Sequence, residues 1–287
     1  MANKKLLPLD ILYAVAEILT ARSDMDSLKT SSLACRDFRR ICEKQIFAKV
    51  DLTADDGSLV DQFKKLLDIK PEAATFVQDV RLFLDPPYSS NLLTVLSSMK
   101  ALDGSPSVNL RLLEFLDIYM ESKEGVLRLL LEDYESLKSL TIRLHMDWDL
   151  RGTLSAMKPR TKENLQSLSL ELDDVTGQDR DPFLGLCDEL KSFPSASALK
   201  KIEVKIFVMS DCDCSTRLEY WSAFDEVLQG GNFRFLEEVS LAVNINRYWS
   251  DDKTLEAKLQ SIAKSAFCRL EQAADVRFQC IIATDLE

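Results

Sequence analysis

The chain has 287 residues, of which 46% are hydrophobic and 29% are charged, as in a globular protein. Glycine and proline are scarce, with eight residues each, which argues against long linkers and turn-rich β-sandwiches. The formal net charge is −11, so binding to a nucleic-acid backbone or an anionic membrane is not expected, because both need a basic surface. The sequence contains no apolar stretch long enough for a transmembrane helix.

The seven cysteines are an odd number and are scattered along the chain. Most of them occupy apolar positions of helix-like or strand-like patterns, which is typical of reduced, buried thiols. We therefore expect a cytoplasmic and/or nuclear protein.

The first fifty residues differ in charge from the rest of the chain. They contain nine Lys or Arg against six Asp or Glu, a net charge of +3, whereas the other 237 residues carry −14. Apolar side chains at helical spacing, beginning with Leu9 and Leu12, and a polar break at residues 23–26 predict three short helices. We expect a separate helical domain at residues 6–49, too small to be stable without further contacts.

Four segments of this domain resemble the F-box motif. They are Leu7-Pro8-Leu9-Asp10-Ile11-Leu12, Glu17-Ile18-Leu19, Asp26-Ser27-Leu28 and Ala34-Cys35-Arg36-Asp37-Phe38-Arg39. The resemblance implies docking onto the Skp-type adaptor of a cullin–RING ubiquitin ligase. The contact positions that it implies are Leu7, Pro8, Ile11, Leu12, Ile18, Leu19, Leu33, Cys35 and Phe38. The alternative is a plain three-helix cap on the following domain, although the local positive charge would suit an acidic partner.

An apolar pattern of the form L-x-x-L-x-L recurs after the helical domain. Its copies begin at Val77, Leu113, Leu137, Leu165, Leu199 and Leu236, with a weaker last copy at Ala273. Within each copy the apolar residues alternate with period two, which predicts strands. Between most copies the spacing becomes helical, as in Trp221, Phe224 and Leu228, although the stretch after Leu150 has room for only a short helix.

Strands and helices that alternate in this way predict an α/β fold, with a curved parallel sheet in a βα solenoid. We expect a helical connector at residues 50–76 and the solenoid at residues 77–287, with the last copy as its cap. The pattern resembles an irregular leucine-rich repeat, and residues 68–77 resemble the junction that follows the F-box in fungal proteins of this shape. An all-helical solenoid does not fit the alternation of Leu168, Leu170 and Leu172. A doubly wound fold would need a Gly-rich phosphate-binding turn after a strand, and the sequence contains none.

Few residues suggest chemistry. His145 is the single histidine, which leaves no multi-histidine metal site, and we read it as a surface residue. The segment Asp211-Cys212-Asp213-Cys214 is the densest group of potential ligands, but no second pair lies near it in sequence, so we read it as a loop. No nucleophile, phosphate-loop or kinase motif is present. We expect no enzyme activity, no cofactor and no metal.

The residues between the apolar strand positions are expected to line the concave face of the sheet. Binding energy at interfaces concentrates in Trp, Tyr and Arg. The target-binding candidates are therefore Arg81, Tyr119, Arg143, Trp148, Tyr248 and Trp249. The sequence predicts a substrate-receptor subunit of a Skp–cullin–F-box ubiquitin ligase that binds an unknown target protein. The alternatives are a scaffold of the same fold without a ubiquitin role, or a hydrolase that uses His145 or the acidic loops.

Overall fold

The computed structural model of the chain describes residues 8–53, 58–84, 113–120, 131, 134–145, 150–173, 183, 185–209, 218–246 and 254–285. The predicted positions Leu7, Trp148, Tyr248 and Trp249 lie outside these ranges, as does the segment 211–214.

Three helices form the N-terminal unit: α1 (Leu9–Ala21), α2 (Met25–Ser31) and α3 (Arg36–Ile46). The carboxylate of Asp24 caps α2 by accepting a hydrogen bond from the backbone N–H of Ser27 at 3.0 Å. The Cys35 sulfur accepts from the N–H of Phe38 at 3.4 Å and so caps α3. The three predicted helices are thus present, each beginning where a capping side chain or a proline precedes it.

This helical unit has a small hydrophobic core of its own. Six buried residues form it: Leu12, Ala16, Leu28, Phe38, Ile41 and Cys42. They are a separate cluster from the main core, which begins at Leu52. The unit is joined closely to the next element, because only residues 47 and 48 separate α3 from the first strand. An ion pair of 2.5 Å between Lys70 Nζ and Glu43 Oε1, both mostly buried, adds a second link.

Eight strands are described, and all pair in parallel in one sheet. They are β1 (Lys49–Leu52), β2 (Asp79–Leu84), β3 (Phe115–Met120), β4 (Ser139–His145), β5 (Ser167–Asp173), β6 (Lys201–Met209), β7 (Glu238–Asn246) and β8 (Arg277–Asp285). Their order across the sheet is their order in sequence. A doubly wound fold reverses this order at its switch point, so the structure excludes that alternative, and the strands exclude an all-helical solenoid. The α/β fold with a parallel sheet is confirmed.

The register keeps apolar residues on one face of the sheet. Leu168, Ile202 and Val239 pair in one row, and Leu170, Val204 and Leu241 in the next. All six are fully buried. The intervening residues of β7 are half-exposed, which gives the strict alternation that the sequence predicts. One face therefore carries the core, and the other is polar.

Seven further described helices accompany the sheet, six of them α-helices. They are α4 (Ser58–Ile69), a 3-10 helix (Pro71–Phe76), α5 (Pro159–Asn164), α6 (Leu186–Lys191), α7 (Leu218–Gln229), α8 (Thr254–Ala266) and, last, α9 (Cys268–Gln272), of which α9 is a single short turn after α8. The short helix expected after Leu150 is α5, with six residues. No described helix has the length and apolarity to cross a membrane.

The connector differs from its prediction. Residues 50–76 were expected to be helical, but β1 occupies the beginning of this segment and pairs with β2 from Lys49 to Leu52. The helical part is limited to α4 and the 3-10 helix. β1 has only four residues, two of them charged, so its alternation is too short to be recognised as a repeat.

Two buried carboxylates connect neighbouring units of the solenoid. Glu189 of α6 accepts hydrogen bonds from the N–H groups of Gly152 and Ser155, the latter at 2.6 Å. Asp225 of α7 accepts from the N–H groups of Arg269 and Leu270, at 3.3 and 2.9 Å. Each carboxylate is thus the acceptor for two backbone N–H groups of another segment of the chain.

Candidate interaction surfaces

The N-terminal unit exposes an unusual number of large apolar side chains. Among the described residues, thirteen such side chains are exposed, and seven of them belong to this unit. We call these seven the N-terminal apolar residues: Leu9, Ile11, Tyr13, Val15, Ile18, Met25 and Leu33. A soluble monomer shows scattered exposed apolar groups, whereas a concentration of them indicates an interaction site.

Helix α1 has two apolar faces. Leu12 and Ala16 point into the small core. Ile11, Val15 and Ile18 are spaced i, i+4 and i+7, so they share a different face of the helix, and they are 46%, 37% and 52% exposed. In the sequence, the apolar residues of α1 form one continuous helical pattern. The structure separates them into a face that holds the unit together and a face that is open to a partner.

The predicted adaptor contacts divide in the same way. Pro8, Ile11, Ile18 and Leu33 are exposed, and Leu33 is the most exposed of the N-terminal apolar residues at 73%. Leu12 and Phe38 are buried, so they support the helices and cannot contact a partner in this conformation. Leu19 and Cys35 are half-buried against the same small core.

Sequence reasoning missed four of the N-terminal apolar residues, namely Leu9, Tyr13, Val15 and Met25. The available signal was the number of apolar residues in α1, which exceeds what one buried stripe of a short helix requires.

The polar face of the sheet carries the second candidate surface. Asp51, Arg81 and Asp117 are register partners on β1, β2 and β3, with Thr141 next on β4. In the following row, Tyr119 pairs with Arg143, and Arg143 with Glu171. Phe115, 47% exposed, belongs to the same face and was not among the candidates. Charged side chains of both signs and the aromatic residues Phe115 and Tyr119 thus lie on the polar face of the first five strands.

An open depression of about 270 Å³ lies on this face. Its lining residues come from the first four strands and the residue after β1: Asp51, Thr53, Arg81, Leu82, Asp117, Tyr119 and Arg143. The structure therefore brings together three of the predicted target-binding residues, Arg81, Tyr119 and Arg143. Asp51 and Thr53 were missed because β1 itself was not predicted.

Arg143 is held in place by two carboxylates. Its Nη2 lies 3.1 Å from Asp117 Oδ2, and its Nε lies 3.3 Å from Glu171 Oε2. Arg81 is exposed and has no ion pair within 4.0 Å in the described part of the chain. Partial burial raises the pKa of Asp117, and the charges of Arg143 and Arg81 oppose this rise. The depression therefore offers the guanidinium group of Arg143, which two carboxylates hold in place, and that of Arg81, which has no ion pair among the described residues.

A second set of charges lies further along the same face. Lys201 Nζ is 2.9 Å from Glu238 Oε1, and Lys205 Nζ is 3.1 Å from Glu203 Oε1. The hydrogen bond to Glu238 raises the pKa of Lys201 and lowers that of Glu238. These groups neutralise each other, so this part of the face has little net charge to attract a ligand.

The described residues contain no group of three or more His, Cys, Asp or Glu side chains arranged to hold a metal ion. His145 ends β4, in register with Asp173, and its side chain lies outside the described part. The described geometry thus offers two candidate interaction surfaces, one apolar and one polar.

Comparison with known proteins gives no match. No family model, no curated protein and no solved structure matches the chain. The interpretation therefore depends on the geometry and on the resemblance of the motifs.

Proposed function

We propose that the chain is a substrate-receptor subunit of a Skp–cullin–F-box ubiquitin ligase. The observation that carries the proposal is the exposure of Ile11, Ile18 and Leu33 on a helical unit with its own core. These are three of the positions that the F-box resemblance assigns to the adaptor contact. The apolar area on these side chains is removed from water only when a partner covers it.

The short connection between the helical unit and the sheet suits a substrate receptor. Two residues separate α3 from β1, and the backbone N–H groups of Gln78 and Asp79 both bond to the carbonyl of Ala48 at 2.9 Å. A target held on the sheet would therefore keep a fixed orientation to a ligase held on the helices. Such a subunit acts by proximity, because it raises the local concentration of target lysines beside the transferring enzyme.

The proposed target surface is the depression that contains Arg81, Tyr119 and Arg143. Tyr and Arg are the residue types that most often dominate binding energy. Arg143 is pre-organised by Asp117 and Glu171, so little side-chain entropy is lost when a target binds it.

Capture of a Skp-type adaptor by the full chain tests the proposal. We expect a complex with the wild type, and loss of the complex when Leu7 and Pro8 are both changed to Ala. Ile18→Glu and Leu33→Glu should each weaken capture at least about tenfold, since a charge would enter an apolar interface. The matched control is Phe235→Glu, because Phe235 is similarly exposed at 57% but lies in the solenoid.

Ile18→Glu, Leu33→Glu and Phe235→Glu should unfold at the temperature of the wild type, because an exposed side chain contributes little to folding. Absence of a complex with the wild type refutes the proposal. Equal capture by Ile18→Glu, Leu33→Glu and Phe235→Glu refutes the proposed surface.

A second measurement separates the ligase receptor from a scaffold of the same fold. The adaptor complex is mixed with the cullin and the ubiquitin-transferring enzymes, and ubiquitin transfer to proteins captured from the native cell is followed. The double change Arg81→Ala and Tyr119→Ala should leave adaptor capture intact and abolish transfer to the target. A complex that never recruits the cullin would establish the scaffold instead.

A further inference from the structure

The two edges of the sheet differ in a way that bears on self-association. An edge strand presents unpaired N–H and C=O groups, and proteins protect such edges with short strands and charges. The β1 edge has four residues, of which Lys49 and Asp51 are charged. The β8 edge has nine residues and pairs with β7 alone among the described strands.

The central residues of β8 include no charge that would oppose pairing with another strand. Its only charged residues are the first, Arg277, and the last, Asp285. Between them lie the uncharged residues 278–284, with Ile281 44% exposed on the polar face. On the other face, Phe278, Cys280 and Ile282 are only partly buried against the main core.

A groove of mixed lining continues from this edge. It has a volume of about 430 Å³ and lies between α8, α9 and β8. Its lining is apolar at Ala263, Phe267, Cys280, Ile281 and Ile282, and polar at Gln260, Lys264 and Glu271. In the interior of the solenoid the next strand would close such a groove.

The charge pattern of β8 is complementary to a second copy of itself. In an antiparallel pair centred on Ile281, all nine residues find partners, and Arg277 of each copy is opposite Asp285 of the other. The same register places Cys280 of each copy opposite Ile282 of the other, beside this groove. Shifting the pairing in either direction separates Arg277 from Asp285.

We propose that two copies of the chain associate through β8, in antiparallel register about a twofold axis at Ile281. The contact is isologous, because each copy contributes the same strand. The resulting assembly is a closed dimer, because the β1 edge takes no part in the contact. The inference does not depend on the proposed adaptor docking, which uses the other end of the chain.

Sedimentation of the full chain from about 1 to about 100 µM tests this, a range that detects weak dimers. We expect a reversible dimer. Ile281→Lys should weaken it at least about tenfold, because two like charges would meet at the axis. The control Leu218→Lys should not, although Leu218 is exposed to the same degree at 43%.

Charge reversal tests the register itself. Arg277→Asp and Asp285→Arg should each weaken self-association about tenfold, because every ion pair of the twofold contact becomes a repulsion. Arg277 is 3.8 Å from Glu238 of its own chain and largely exposed, so its loss should cost little folding stability. A mixture of the two single variants should form a heterodimer, since one copy then carries two acids and the other two arginines.

A monomeric wild type at about 100 µM, or assemblies larger than a dimer, would overturn the proposal. So would a mixture of the charge variants that fails to associate. Because both substitutions lie at the ends of the strand, and Arg277 is largely exposed, they keep the test decisive even if Ile281→Lys does not fold. Adaptor capture by the same variants should equal that of the wild type, which separates this proposal from the function proposed above.

Discussion

Replacing Glu189 by alanine should reveal how much one buried carboxylate contributes to the solenoid. Glu189 is 3% exposed and accepts hydrogen bonds from the N–H groups of Gly152 and Ser155 and from the Ser155 hydroxyl. Its neighbour Lys162 is also buried and donates to the Ser155 carbonyl and to Ser192. The variant Glu189→Ala would leave both backbone donors without their acceptor.

The expected loss follows from these contacts. A hydrogen bond to a charged group contributes about 1.5–3 kcal/mol. Gly152 is half-buried and Ser155 is exposed, so water reaches the two donors after truncation, and the lower figure applies to each. The free energy of unfolding should therefore fall by about 3 kcal/mol for Glu189→Ala. Glu189→Gln keeps one acceptor oxygen and should cost about 1–2 kcal/mol.

Urea unfolding followed by circular dichroism measures these differences through the midpoint and the slope. Lys162→Met is the matched control, because it keeps the volume of the side chain and the carbonyls of Ser155 and Ser192 remain accessible to water. It should change stability by less than about 1 kcal/mol. A loss below about 1 kcal/mol for Glu189→Ala, or an equal loss for Lys162→Met, would contradict the reasoning.

Lys162 also makes the free energy of unfolding depend on pH, and the sign of this dependence follows from its pKa. Burial lowers the pKa of Lys162 below 10.5, and the charge of Glu189 opposes this only in part. Between the folded-state pKa and the higher unfolded-state pKa, the unfolded chain binds more protons. This group therefore makes stability rise with pH in that alkaline window. Relative to Lys162→Met, the wild type should gain stability as the pH approaches 10.5, and a relative loss would contradict the assignment.

Two further predictions concern the last units. Asp225→Ala removes the acceptor of two backbone N–H groups of α9 and should lower the free energy of unfolding by about 2 kcal/mol; in a thermal melt the exposed control Glu226→Ala should have almost no effect. Burial raises the pKa of the Cys280 thiol to about 11, so roughly 0.3% of it is thiolate at about pH 8.5. Iodoacetamide should modify the exposed Cys268 much faster, and equal labelling in peptide mass spectra would refute this.

The repeated part of the fold could be predicted from sequence, because each long strand alternates over several residues. β6 and β7 each have nine residues and one fully apolar face, which is the strongest signal that a sequence offers for a strand. β1 was missed for the opposite reason, since residues 49–52 hold two charges and no second period. Because β1 was not predicted, Asp51 and Thr53 were not recognised as lining residues of the depression on the polar face.

The buried polar residues could not be predicted from the pattern. Nothing in the sequence pattern distinguishes Glu189 and Lys162 from solvent-facing charges, because charged residues of a helix are mostly exposed. Their burial depends on backbone donors and acceptors 30 or more residues away in sequence, such as Gly152 for Glu189 and Ser192 for Lys162. Periodicity alone does not predict the exposed face of α1 either, because it finds apolar residues but does not say which of them the fold covers. Ile11 and Ile18 were named through the F-box resemblance, whereas Val15 was missed.

Because the strands are ordered as in the sequence, position along the chain becomes distance across the sheet. β1 and β8 are seven strand spacings apart, which is roughly 34 Å at 4.8 Å per spacing. A protein of ordinary size can therefore occupy one end while the other remains sterically free. Two chains joined at β8 would hold their helical units on opposite flanks, far enough apart for each to be engaged at the same time.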